Sequence, residues 1–198
     1  MSRSGRNVAA RGVIVLLLCA AAMGCGFLRR SQPRIYSLER ITPAVPTAAV
    51  TGLPIGIDVV ELPPGAERRE LSVRKADHQL EVRSAELWSA PFEAMVLHTL
   101  AFDLAGRLPV GMTILPGQPK PATMRAIDVV VAEFEAGPES QVTLDARWVL
   151  RENGRPDVAH HERIAIPIES LESANVAAGM SNALAALADR MAAGLGAR

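Results

Sequence analysis

The sequence predicts an α/β chain of the α+β kind, a single domain in which a mixed, largely antiparallel sheet carries two amphipathic helices on one face. Three observations lead there. Gln141 to Arg151 alternates, with Val142, Leu144, Ala146, Trp148 and Leu150 on one side and Gln141, Thr143, Asp145, Arg147 and Arg151 on the other. That is the pattern of a strand with one buried and one wet face. Phe92, Val96, Leu100 and Leu104 recur every four residues, and Val176, Met180, Leu184, Leu187 and Met191 follow the same helical spacing. The elements run β, β, β, β, α, β, β, β, β, α, with short connections that favour neighbouring placement.

Arg34 to Glu39 reads as a short first strand, with Tyr36 and Leu38 on one face. A loop broken by Pro43, Pro46 and Pro54 separates it from a second strand, Ile55 to Leu62, which Pro63-Pro64-Gly65 closes. Glu70 to Arg74 and Gln79 to Arg83 form two short strands around a turn at Ala76-Asp77. The first helix is expected to open at Ser89-Ala90-Pro91, with the serine as cap, and to stop at Gly106. Met112 to Leu115 and Ile127 to Phe134 precede the alternating strand. Asn153-Gly154 marks a reversal, and the Arg-Pro behind it lengthens the loop. Ala159 to Ile168 returns as a strand that Pro167 confines to an edge. The last helix starts near Ser170 or Ser173 and runs towards Leu195, alanine-rich and therefore thin.

Residues 1–24 read as a secretory signal. Arg3, Arg6 and Arg11 precede a run of 13 apolar or small residues from Gly12 to Gly24. At about 1.5 Å per residue that run is too short to span roughly 30 Å of hydrocarbon. Ala22-Met23-Gly24-Cys25 places a small residue before a cysteine, which resembles the lipobox of bacterial lipoproteins, and cleavage is expected between Gly24 and Cys25. The other cysteine, Cys19, lies within the discarded segment. A lone thiol at the first mature position cannot belong to an internal disulfide, and lipid attachment to Cys25 accounts for it. The expected division is therefore a signal peptide at 1–24, a lipidated cysteine and tether at 25–33, and a folded domain at 34–198.

Loss of the leader removes three of the 21 basic residues and none of the 21 acidic ones, leaving a net charge of about −3. That balance offers nothing to nucleic acid. No phosphate-binding glycine loop, nucleophile elbow or His-Glu-x-x-His motif is present. His160-His161 are adjacent on a strand and so point to opposite faces, which makes them edge-strand polar residues rather than metal ligands. Glu133 and Glu135, without a partner group, read as a wet face; His78 and His98 read as solvated. No metal, no cofactor beyond the covalent lipid, and no catalytic site is expected.

The stretch Ile55-Gly56-Ile57-Asp58-Val59-Val60-Glu61-Leu62-Pro63, followed by Arg69, Val73-Arg74 and Asp77-His78-Gln79-Leu80, resembles the ABC-type transport auxiliary lipoproteins. These are lipoprotein subunits of the paraquat-inducible and related intermembrane transport systems built around MCE proteins. Tyr36-Ser37-Leu38, Trp88, Pro91, Phe134 and Leu144-Asp145-Ala146-Arg147-Trp148 extend the likeness over the mature chain. Gly56, Pro63 and Trp88 read as residues of turns and packing. Gly65-Ala66 depart from the pattern, standing where the family has an aromatic and a leucine.

The resemblance implies a non-enzymatic lipoprotein on the periplasmic face of the outer membrane, working with an MCE-domain protein in lipid transport and supporting membrane integrity. Gly26, next to Cys25, is not the aspartate that retains enteric lipoproteins at the inner membrane. Self-association is left open. The alternatives are a free-standing envelope lipoprotein acting in secretion or outer-membrane assembly, and a periplasmic hydrolase. For partner contact the candidate is the segment Pro63 to Arg74, a punctuated loop carrying Glu67, Arg68, Arg69 and Arg74.

Overall fold

The computed structural model describes residues 32–196. The signal segment, the Gly24–Cys25 junction and the tether up to Ser31 lie outside the described residues. Ten elements follow in the expected order: β1 (Arg34–Tyr36), β2 (Ile55–Glu61), β3 (Glu70–Arg74), β4 (Leu80–Trp88), α1 (Phe92–Arg107), β5 (Thr113–Ile114), β6 (Arg125–Gly137), β7 (Gln141–Arg151), β8 (Val158–Pro167) and α2 (Ser173–Gly196). The strands divide into two mixed sheets rather than one, ordered β1-β4-β3 and β5-β2-β6-β7-β8. β6, β7 and β8 form an antiparallel meander, while β2 pairs with β6 in parallel. A parallel pair needs a crossover, and the chain from β3 through α1 supplies it.

Both helices pack on the large sheet, α1 against β2 and β5, α2 against β6, β7 and β8, and they pack on each other. Burial follows the alternation of β7: Val142, Leu144, Ala146, Trp148 and Leu150 are all buried beneath α2. The alanines of α2 let it lie close to the sheet. At Gly194 a Cβ would stand 3.1 Å from the indole of Trp148, so the ring is held by a helix backbone with no side chain between them. β8 is an edge strand, as Pro167 requires.

Three local expectations are corrected. β1 ends at Tyr36 because the backbone donors beyond it go to the helices: Glu39 N–H to Ser181 Oγ (3.0 Å), Ile41 N–H to Asp103 Oδ1 (2.7 Å), and Thr47 and Ala48 N–H to the Arg107 carbonyl (2.9 and 3.1 Å). Residues 37–54 are thus a strap across the helices. Ser89 does not cap α1; its hydroxyl meets Met95 Sδ at 3.3 Å, and Pro91 holds the cap position. Gly106 lies inside α1 rather than ending it, and any side chain there would collide with Thr42 of the strap.

Beneath the strap lies a buried polar cluster. Arg107, 3% exposed, donates to both oxygens of Asp189 (2.6 and 3.1 Å), to the Ile41 carbonyl (2.9 Å) and to the Asp103 carbonyl (2.9 Å). Asp103 is fully buried and its Oδ2 has no hydrogen-bond partner. Burial pushes its carboxyl up to about 6, against the opposing pull of the Ile41 N–H and of the Arg107 and Arg40 charges, with Asp189 adding to the rise. A carboxyl whose folded pKa exceeds its unfolded value of 3.8 takes up a proton on folding between those values. Stability should therefore rise as pH falls from about 7 to about 5. In Asp103→Asn, which keeps the acceptor for Ile41, that rise should vanish; melting temperature across the range measures it. The carboxyls held low, Glu81, Glu86 and Asp145, lose their contribution only at more acidic pH.

Candidate functional site

The predicted contact segment divides in two. Residues 62–69 form the loop between β2 and β3, whereas Arg74 is on β3 and pairs across a gap with Glu135 of β6. Glu67, exposed, folds back to accept the Gly65 N–H (2.8 Å), an arrangement that fixes the loop at a residue whose φ of 89° suits glycine. Arg68 and Arg69 are exposed, and among the described residues neither forms an ion pair. The loop cations are therefore not consumed by their own neighbours.

This loop is one wall of a cleft of about 330 Å³. Trp88, Phe92 and Phe134 form its floor, with ring centroids 4.9 Å apart for the first pair and 5.7 Å for the second. Of the chain's seven aromatic residues, three meet here. They come from β4, α1 and β6, so no local spacing announces the cluster. Glu70, Ser72 and Arg74 line it from β3, and Leu80, 42% exposed, stands at its lip. Gly65 and Ala66, the departures from the family pattern, form the low wall opposite.

Glu133 and Glu135 are not partnerless, as their sequence context suggested. Arg74 holds Glu135, and Arg163 of β8 reaches Glu133 at 3.1 Å and Asp145 at 2.9 Å. Asp145 also meets His161 Nε2 at 2.8 Å, and that contact first, then Arg163, holds its carboxyl below the usual range. His160, on the opposite face, stacks on Trp148 at 3.9 Å with the rings 5° apart. The two histidines point apart, as strand geometry requires, and among the described residues no three His, Cys, Asp or Glu side chains group closely enough to hold a metal ion.

A second polar cluster joins the small sheet to α2. Glu86 of β4 is 8% exposed; it accepts from the Ser173 hydroxyl at the start of α2, pairs with Arg34 and lies 3.5 Å from Arg83. The Ser173 hydrogen bond, then the Arg34 and Arg83 charges, keeps the Glu86 carboxyl below its ordinary value. A carboxylate at a helix N-terminus also complements the helix dipole. Every oxygen here is engaged internally, so this cluster fastens elements together. No helix among the described residues is long and apolar enough to cross a membrane.

The fold has solved counterparts. One, a crystal structure of an uncharacterized protein, superposes with a TM-score of 0.66 at 14% identity, covering 83% of this chain and 99% of the other. Protein XCC0632 from Xanthomonas campestris, of family DUF330, gives a TM-score of 0.60 at 17% identity, covering 79% of this chain and 91% of that one. At such identities the likeness establishes the architecture alone. No curated protein matches the sequence. The family model of the ABC-type transport auxiliary lipoprotein component matches residues 36–192, from the end of β1 into the last turns of α2. Through that match over most of its length, the chain belongs to the ABC-type transport auxiliary lipoprotein component family.

Proposed function

We propose that this protein is the lipid-anchored, periplasm-facing partner of an MCE-domain protein in an ABC-type intermembrane lipid transport system. In this reading Cys25 carries the lipid after cleavage behind Gly24, the anchor lies in the outer membrane, and the protein supports the integrity of that membrane. The carrying observation is family membership across both sheets and both helices. A non-enzymatic role is supported by the way two acids of the cleft are each held by a base, Glu135 by Arg74 and Glu133 by Arg163 of β8, rather than converging on a common point.

The loop at Glu67, Arg68 and Arg69 is the proposed contact. Its backbone is braced by Glu67, and of its two cations without an ion pair Arg68 lines the cleft, so an acidic surface can be met without breaking an internal pair. Reversing both charges, Arg68→Glu with Arg69→Glu, should leave the melting temperature unchanged and lower co-purification with the MCE-domain protein by about tenfold. Cys25→Ala protein, expected to be uncleaved or soluble by fractionation and mass measurement, is the control for anchoring; protein still cleaved behind Gly24 and membrane-bound would overturn the lipid anchor. Folded double-reversal protein that retains full partner binding and full membrane integrity would eliminate the loop as the interface.

A further inference from the structure

The large sheet ends in two edges of very different length, β5 with two residues and β8 with ten. Beyond β8 no strand follows. Which of its backbone groups face outward is settled by one bond. The Ile168 N–H donates to the Ser140 carbonyl (2.8 Å), and the register from Gln141 opposite Pro167 to Leu150 opposite Val158 runs without a shift. In an antiparallel ladder, residues that exchange bonds with the neighbour alternate with residues that turn both groups away from it. The even-numbered residues of β8 therefore bond to β7. Ala159, His161, Arg163 and Ala165 turn N–H and C=O outward, and among the described residues no loop or turn backbone bonds to them. Pro167 falls in the outward set, where its missing N–H costs the ladder nothing.

Open edges are blunted by shortening, by bulges, by proline or by charge. β8 is long and unbulged, and its proline stands at its last position. The remaining guard is Glu162. Alternation places its side chain on the α2 side of the strand, between His160, which stacks on Trp148, and the buried Ile164. It is partly buried, and among the described residues it has neither an ion pair nor a hydrogen bond from its side chain. We infer that the outer edge of β8 takes up an extended basic segment of a partner polypeptide as an added strand, with a lysine or arginine opposite Glu162 and an apolar side chain beside Ile164.

Charge selects this occupant. A strand that set an apolar residue or an acid against Glu162 would strip water from a carboxylate without pairing it. A strand with a cation there supplies the missing partner and also collects the ladder bonds. On the other face Arg163 is already held by Glu133 and Asp145, and His161 by Asp145, so an acidic strand finds no cation waiting. A second copy of the chain fits badly. The two longest antiparallel self-pairings that keep the faces matched centre on Glu162 or on Arg163, and each sets like charges directly opposite. A lipid chain has no use for ladder bonds. The inference goes beyond the transport reading, because β7 separates this edge from β6 and the cleft, and the charge it recognises is the opposite one.

The test is to pan a displayed random peptide library on the purified protein and follow hydrogen exchange, amide by amide, with the enriched synthetic peptides. Enriched peptides should alternate apolar with polar residues and carry a lysine or arginine. They should slow exchange at Ala159, His161, Arg163 and Ala165 about tenfold or more, the amides between them being already bonded to β7. Methylating one alternating set of peptide backbone nitrogens should weaken binding at least about tenfold, and methylating the other set should not. Glu162→Lys should turn the selection from basic to acidic peptides. Protein carrying Arg68→Glu and Arg69→Glu should bind the peptides unchanged, which separates this edge from the transport contact. Failure to enrich any peptide overturns the inference. So do slowed amides lying elsewhere, equal tolerance of both methylated sets, or an unaltered basic preference in folded Glu162→Lys. Slowing of the same amides that grows with protein concentration, without peptide, would also overturn it, by making the occupant a second copy.

Discussion

Trp148→Ala is expected to cost about 3–5 kcal/mol of folding stability, the range for emptying a large buried aromatic site. The ring is 1% exposed, stacked on His160 and pressed against the α2 backbone at Gly194. A helix that approaches the sheet through glycine has no side chain to swing into the void, so the cavity should persist. Trp148→Phe is expected to cost less than half as much. It retains most of the apolar volume and removes the indole N–H, which is buried without a hydrogen-bond partner. Asp145→Ala, three residues earlier and on the other face of β7, removes pairs with His161 and Arg163 that are worth at most about 1 kcal/mol. Urea unfolding, with an unchanged slope in denaturant, measures all three. Equal losses for Trp148→Ala and Asp145→Ala would mean that the two faces of β7 are wrongly assigned.

Arg107→Ala is the second large effect, about 3 kcal/mol, the low end for removing one partner from a buried pair. Asp189, half-exposed, keeps some access to water, but Asp103 does not. Without the guanidinium the two carboxylates face each other and the strap loses one of its fastenings to α1, the bond to the Ile41 carbonyl. Arg107→Lys restores the charge without the planar fork, so recovery should be partial. The diagnostic result is the double variant. Adding Asp103→Asn to Arg107→Ala removes the stranded charge, so the pair should be less destabilised than the sum of the singles. Strict additivity would show that Arg107 acts through packing alone.

Much of this architecture was legible before any coordinates. The order of all ten elements, the span of β7 and the edge position of β8 follow from period and punctuation, because alternation and the placement of Pro167 are local properties. What local properties cannot report is pairing. Whether β3 and β4 join the large sheet or form their own depends on contacts between segments far apart in the chain. β4, expected over Gln79 to Arg83, runs instead from Leu80 to Trp88. Glu86 is buried all the same, since Arg34 of β1 and Ser173 of α2 converge on it from far along the chain, beside Arg83 of its own strand. The same limit governed the site. Arg68 and Arg69 could be singled out by charge and by position in a loop, whereas the cleft that Arg68 borders is built from Trp88, Phe92 and Phe134, each of which reads by itself as ordinary core.

β1 has a mechanical consequence. It is three residues long and lies parallel to β4, Arg34 opposite Glu86 and Tyr36 opposite Trp88. Under the anchoring at Cys25 proposed above, a pull on the protein would reach this strand first. Tension along the strand axis loads its hydrogen bonds together, in shear, whereas a sideways pull opens them one after another. Behind β1 the strap is fastened again at Ser181, at Asp103 and at the Arg107 carbonyl. Yielding should therefore be stepwise: β1 releases and lengthens the leash, the fasteners on the helices take the load next, and the five-stranded sheet is spared until last.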